Sequence, residues 1–135
     1  MTTHQTNSKL LNMTSWLCQI LLSITFIWAA GMKWFEPMDQ LAQMWPWTAD
    51  NPLLTKITGV FDFAAGLGLV LPMALLIRPV LTLYAACGTL ALMLAAIVFH
   101  VSRGESSQIG FNVFVLLMAG FIAWVRGKKT IIHKQ

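Results

Sequence analysis

The sequence predicts an all-α fold: a membrane-embedded four-helix bundle, antiparallel and up-down, with a short interfacial helix in its first outer loop. Three observations carry this expectation. Of the 135 residues, 57% are hydrophobic and only 10% charged, whereas a soluble domain has roughly 25% charged residues. The apolar residues gather into four runs, about 13–32, 53–76, 80–101 and 109–125. Each is close to the roughly 20 residues that a helix needs to cross the hydrocarbon core. The runs are too long for strands and do not alternate, and in lipid only helices and closed barrels satisfy their own backbone.

The elements follow in order. Residues 1–12 read as a polar cytoplasmic tail ahead of a single transmembrane domain, 13–125. The first run is longer than the roughly 7–15 apolar residues of a signal peptide. Asn12 borders it and Gln19 and Thr25 interrupt it, so it reads as a retained helix. The longest loop, "WFEPMDQLAQMWPWTAD", places Met38, Leu41, Ala42 and Trp45 on one face at helical spacing, with Pro46 as a stop. That pattern predicts an amphipathic helix lying on the outer surface, as an interfacial anchor in preference to a functional lid. "DNP" then starts the second spanning helix, with Asn51 as N-cap and Pro52 at the first helical position. Pro72 kinks or ends that helix, and Pro79 starts the third after a tight connection. After the fourth span, residues 126–135 form a basic tail.

Basic residues set the orientation. Lys9, Arg78, Arg126, Lys128, Lys129 and Lys134 fall on one side with no acid among them. Lys33, Lys56 and Arg103 fall on the other, with Glu36, Asp39, Asp50, Asp62 and Glu105. Both termini are therefore expected to be cytoplasmic, in a multi-pass protein of the plasma (inner) membrane. The net charge of +4 expresses this asymmetry and calls for no nucleic acid. The tail "RGKKTIIHK" is a topology determinant with an attraction to anionic lipid.

Asp62 stands in "GVFDFAAGLGLVLP", roughly 9–14 Å below the outer surface at about 1.5 Å per residue. A carboxylate facing lipid there costs up to about 3 kcal/mol. Gly59 and Gly66 share its face at i−3 and i+4, and small residues let helices approach closely. Asp62 is therefore expected to point into the bundle. Lys56 lies around the helix from it, so its partner must come from another helix. Three polar groups lie in the same outer half: Lys33 at the end of the first helix, His100 at the end of the third, and Asn112 opening the fourth. Ionisable groups inside a membrane are functional candidates by default. Lys33, Asp62, His100 and Asn112 are thus the candidate ligand-binding residues, with Asp62 and His100 as a candidate proton-handling pair.

These residues also carry a resemblance. "NPLLTKITGVFDFAAGLGLVLP", "IRPVLTLYAACGTLALMLAAIVFHVSRGE" and "FNVFVLLMAGFIAWVRG" resemble the DoxX-like family of small four-helix membrane proteins, from about residue 29 to Arg126. The matching features are Gly31 with Lys33, Gly59 with Asp62, the "GLGLVLP" run, His100 and Asn112. The family more often has Glu where this chain has Asp62, one methylene shorter. The resemblance implies the fold and the membrane location. The family name derives from a subunit of a thiosulfate:quinone oxidoreductase, which implies a quinone as the ligand to consider; most members have no assigned activity.

Other chemistries find no support in the sequence. Cys18 and Cys87 lie in the inner half and form no Cys-x-x-Cys, so a membrane thiol oxidase is a poor reading. One His and one Asp do not make a zinc site, and no metal is expected. Two classes of function remain. In one, the outer site binds a small, partly apolar molecule such as a quinone as part of a membrane redox system, the chain being an accessory subunit rather than a self-sufficient enzyme. In the other, the protein is a non-enzymatic assembly or stabilising partner of client membrane proteins, and the polar cluster locks its bundle. The small faces Gly59/Gly66, Ala91/Ala95 and Ala119/Ala123 admit a homodimer, although such faces more often pack helices within one chain.

Overall fold

The computed structural model describes residues 2–132. Six helices follow one another: α1 (Thr3–Phe35), α2 (Met38–Met44), α3 (Trp47–Asp50), α4 (Pro52–Ala74), α5 (Val80–Ser102) and α6 (Ser106–Ile132). Among the described residues there is no strand. Helices α1, α4, α5 and α6 are long and apolar enough to cross a membrane. They pack in a ring, α1 on α4, α4 on α5, α5 on α6, with a thinner closing contact between α6 and α1. This is the membrane four-helix bundle that the apolar runs predict. Short connections make successive neighbours antiparallel.

Phe26, Leu69, Ala86, Met93, Val115 and Ile122 form much of its core. Leu17, Ile24, Phe61, Leu94, Phe114 and Leu117 are each more than half exposed on the outside, where a bilayer supplies their apolar surroundings. Lipid gives little hydrophobic force between helices, so close approach and buried hydrogen bonds must hold the bundle. Both occur between α1 and α4. The Ser23 hydroxyl donates to the Gly66 carbonyl at 2.6 Å, and a Cβ at Gly66 would lie 2.8 Å from Ile27 Cγ1. The Gly59/Gly66 face is therefore used inside the chain, as is Ala119 in the core. Ala91 and Ala95 stay exposed on α5.

Two boundaries differ from the sequence expectation. Helix α1 starts at Thr3, so most of the expected tail is helical, and α6 runs on through residues 126–132. Lys134, in the rest of the expected basic tail, lies outside the described residues. An apolar run measures only the part of a helix that needs lipid, and the backbone ladder continues beyond it. Here the two overruns are joined: Asn12 accepts from both Arg126 Nη1 and Lys129 Nζ at 2.7 Å.

The first loop differs more. The expected face of α2 is the inward one, and Leu41 is fully buried, but the loop does not simply lie on the surface. After Pro46 the chain turns inward as α3, burying Trp47 and Thr48. Pro52 opens α4 as expected, with Asn51 before it. The Asn51 amide, however, donates back to the Trp47 carbonyl instead of capping the helix. The indole of Trp47 finds aromatic partners within the bundle end, and that is what draws the loop in.

Candidate functional site

A cavity of about 310 Å³ lies in the end of the bundle opposite the termini. All four spanning helices and the first loop line it. Lys33, Asp62, His100 and Asn112 all reach it, so the four polar residues singled out by sequence share one cavity.

Each arrives for a local reason. Lys33 is in the last turn of α1, and Asp62 is three residues after Gly59 on the face of α4 that meets α1. The close packing there brings Lys33 Nζ to 2.6 Å from Asp62 Oδ2, with both side chains largely buried. Of the three partners open to Asp62, the structure selects Lys33. The ammonium also sits 5.7 Å from the ring centre of Trp45 and 5.6 Å from that of Trp47. Two aromatic faces thus supplement one carboxylate around a cation held out of water.

His100 does not meet Asp62. Its Nδ1 lies 2.7 Å from Glu105 Oε2. The backbone explains this pairing. Gly104 adopts φ +70° after α5, its N–H bonds to the Val101 carbonyl, and the Glu105 N–H reaches back to the His100 carbonyl. This is a Schellman cap, which uses a glycine in the left-handed region to end a helix, and it folds Glu105 onto the imidazole. With Nδ1–H donated to the carboxylate, Nε2 becomes the acceptor of a neutral ring, or a second donor once the ring is protonated. Arg103 completes the group: Nε bonds Glu105 Oε1 and Nη2 bonds Asp50 Oδ2, each at 2.9 Å. Burial pushes the Glu105 carboxyl up, but hydrogen bonds from His100 and Arg103, with their charges, outweigh it and hold the pKa below the ordinary value. The Arg103 guanidinium is correspondingly raised, chiefly by its hydrogen bond to Asp50. Asp62 and His100, the candidate proton-handling pair, thus reach one cavity but bond to different partners, Asp62 to Lys33 and His100 to Glu105.

Asn112, on the second turn of α6, is 7% exposed and faces the cavity. Among the described residues its side-chain amide has no hydrogen-bond partner. The remaining wall is largely apolar and aromatic: Phe26, Trp28, Leu92, Met93, Phe99 and Phe111.

The first loop supplies the cover, where the sequence favours an interfacial anchor over a lid. Trp45 meets Trp28 edge to face at 5.9 Å, and Trp47 meets Phe99 at 5.8 Å and His100 at 6.4 Å. The Asp50–Arg103 ion pair ties α3 to the end of α5. Lys56 also has a job that spacing alone does not reveal. Its ammonium bonds the Lys33 and Trp34 carbonyls at 2.8 and 2.9 Å, and so neutralises the partial negative charge at the C-terminus of α1. Among the described residues no three His, Cys, Asp or Glu side chains converge as metal ligands. Cys18 and Cys87 are both free thiols.

Neither a curated protein nor a solved structure matches the chain. The model of the DoxX-like family matches residues 17–122, a span that holds all four polar cavity residues together with Glu105 and Lys56. Four spanning helices, the polar cavity among them and this match across most of its length place the chain in the DoxX-like family of membrane proteins.

Proposed function

We propose that the cavity binds a small, largely apolar molecule bearing a carbonyl or hydroxyl, of which a quinone is the type, and that it does so as part of a membrane redox system. The observation that carries this reading is the Asn112 amide: the residue is 7% exposed, and among the described residues the amide has no partner and opens onto the cavity. Polar groups on the wall of a membrane cavity are normally hydrogen-bonded, to water or to a ligand. A ligand carbonyl accepting from the Asn112 amide supplies that partner. Other features support the same reading. The cavity volume falls at the lower end of the usual range for small-molecule sites, and the aromatic wall suits a flat ring. His100, backed by Glu105, offers Nε2 as a proton donor or acceptor. Electron transfer belongs to a partner protein, with this chain as an accessory subunit, and the protein lies in the plasma membrane with its termini in the cytoplasm.

The test is tryptophan fluorescence of the full chain in detergent, titrated with a short-chain quinone, because Trp28, Trp45 and Trp47 all line the cavity. Saturable quenching is expected. Asn112→Leu should weaken it about three- to tenfold, the loss of one hydrogen bond. No saturable quenching of the wild-type protein would sink the proposal.

A second reading rests on a different observation. The Lys33–Asp62 bridge at 2.6 Å pins α1 to α4, as a purely structural lock would. On that reading the protein assists the assembly of other membrane proteins. The wild-type chain then shows no saturable response to the quinone, and a client protein co-purifies in stoichiometric amount.

A further inference from the structure

The other end of the bundle holds a second polar group that the cavity does not use. Arg126 is 3% exposed, yet among the described residues no carboxylate meets it. Its Nε donates to Gln19 Oε1 and its Nη1 to Asn12 Oδ1, both neutral amides, at 2.7 Å. Its Nη2 is buried without a partner. Lys129 leans on the same Asn12 oxygen, so two cations share one uncharged acceptor. Trp16 stands 5.6 Å from the guanidinium carbon, which softens the burial of this charge but does not neutralise it. All five acidic side chains of the protein, Glu36, Asp39, Asp50, Asp62 and Glu105, belong to the opposite half. A buried cation without a counter-charge is expensive, and proteins ordinarily pair such a group. No acidic side chain of this chain is placed to do so, and the positive charge that Arg126 and Lys129 concentrate here favours an anion nearby.

The open seat nearest to this charge is a groove that Arg126 itself does not line. Between the first turns of α1 and the last turns of α6 runs a groove of about 370 Å³, lined by His4, Asn7, Ser8, Trp124, Lys128 and Lys129 among others. Lys129 connects the groove to Arg126 through their common acceptor. Lys128 lies over Trp124, 4.0 Å from the ring centre, so its ammonium is held at the groove rather than free to swing away. The amide and hydroxyl of Asn7 and Ser8 offer donors from the opposite wall. Two ammonium groups, neutral donors, an aromatic platform at the edge of the apolar span and no acidic side chain together describe a seat for one compact anion.

We infer that this groove binds a phosphate group, with Lys128 and Lys129 as its charge partners and Arg126 as the fixed charge behind them. The phosphate comes either from the headgroup of an anionic lipid or from the free ion. Native mass spectrometry of the full chain in a neutral detergent distinguishes these sources, with phosphatidylglycerol, phosphatidylcholine and inorganic phosphate titrated separately. Phosphatidylglycerol is expected to be retained in preference to phosphatidylcholine, whose choline cancels the charge. A K128Q/K129Q variant should bind it about thirtyfold more weakly, at roughly fivefold for each lysine near an anionic surface. Retention of inorganic phosphate with the same dependence on the two lysines assigns the site to the free ion. The inference fails if none of the three is retained, if both lipids are retained equally, or if the double variant binds as the wild type does. Neither lysine touches the cavity at the other end, so this outcome is independent of the quinone test.

Discussion

Asp62 and Lys33 stabilise the bundle only as a pair. Removing the carboxylate charge while keeping the ammonium leaves a cation in a low-dielectric site, a change that typically costs about 3–5 kcal/mol. Trp45 and Trp47 retain their hold on the ammonium. Asp62→Asn should therefore fall at the lower end, about 3 kcal/mol, seen as a lower midpoint of thermal unfolding in detergent. Asp62→Leu combined with Lys33→Met should recover much of that loss, because apolar replacement of both members of a buried pair is often nearly neutral. An unchanged midpoint in Asp62→Asn would mean that water reaches the pair. The inward placement of Asp62 is readable from its glycine-lined face. The choice of Lys33 over His100 is not, because it depends on which helix packs closest to α4. A signal that removes His100 from the contest is present all the same: "HVSRGE" has the glycine of a Schellman cap, and the acid after it is the one folded back.

The connection between α4 and α5 uses the same capping geometry with a less suitable residue. Leu76 has φ 55°, its N–H bonds the Met73 carbonyl, and the Ile77 N–H bonds the Pro72 carbonyl. A side chain in the left-handed region costs roughly 1–2 kcal/mol, and Leu76 is 83% exposed, so little packing offsets it. Leu76→Gly should raise the stability of the bundle by about 1 kcal/mol, measured by thermal unfolding in detergent; a lower midpoint would contradict the strain. Helix ends are partly legible from prolines. Pro72 lies near the end of α4, Pro52 opens that helix, and Pro79 precedes α5. The inward turn of α3 is not legible, because "WPWTAD" carries no periodicity long enough to show a face. What fixes it is the meeting of Trp47 with Phe99 and His100, residues distant in the chain.

For the protein as a unit, composition and run length suffice for the fold, since the bilayer dictates the length of each spanning helix and forbids unpaired backbone. Orientation rests on a separate property, the concentration of basic residues at the end with the termini. With Cys18 and Cys87 replaced by Ser, single cysteines at Asn51 and Ser106 should react with an impermeant thiol reagent from outside intact cells. A cysteine at Ser8 should react only after the membrane is opened. The reverse pattern would invert the placement of both the cavity and the basic groove.

Helix α1 runs unbroken from Thr3 to Phe35, and its single glycine, Gly31, comes only in the last turns. At about 1.5 Å per residue its 33 residues span about 50 Å, against about 30 Å of hydrocarbon. One end carries Lys33, at the cavity, and the other carries His4, Asn7 and Ser8, at the basic groove. Mechanically, α1 is a strut that reaches both the cavity and the basic groove. It contains no proline at which a tilt could be absorbed. A tilt of this rod, if it stays straight, moves both ends at once.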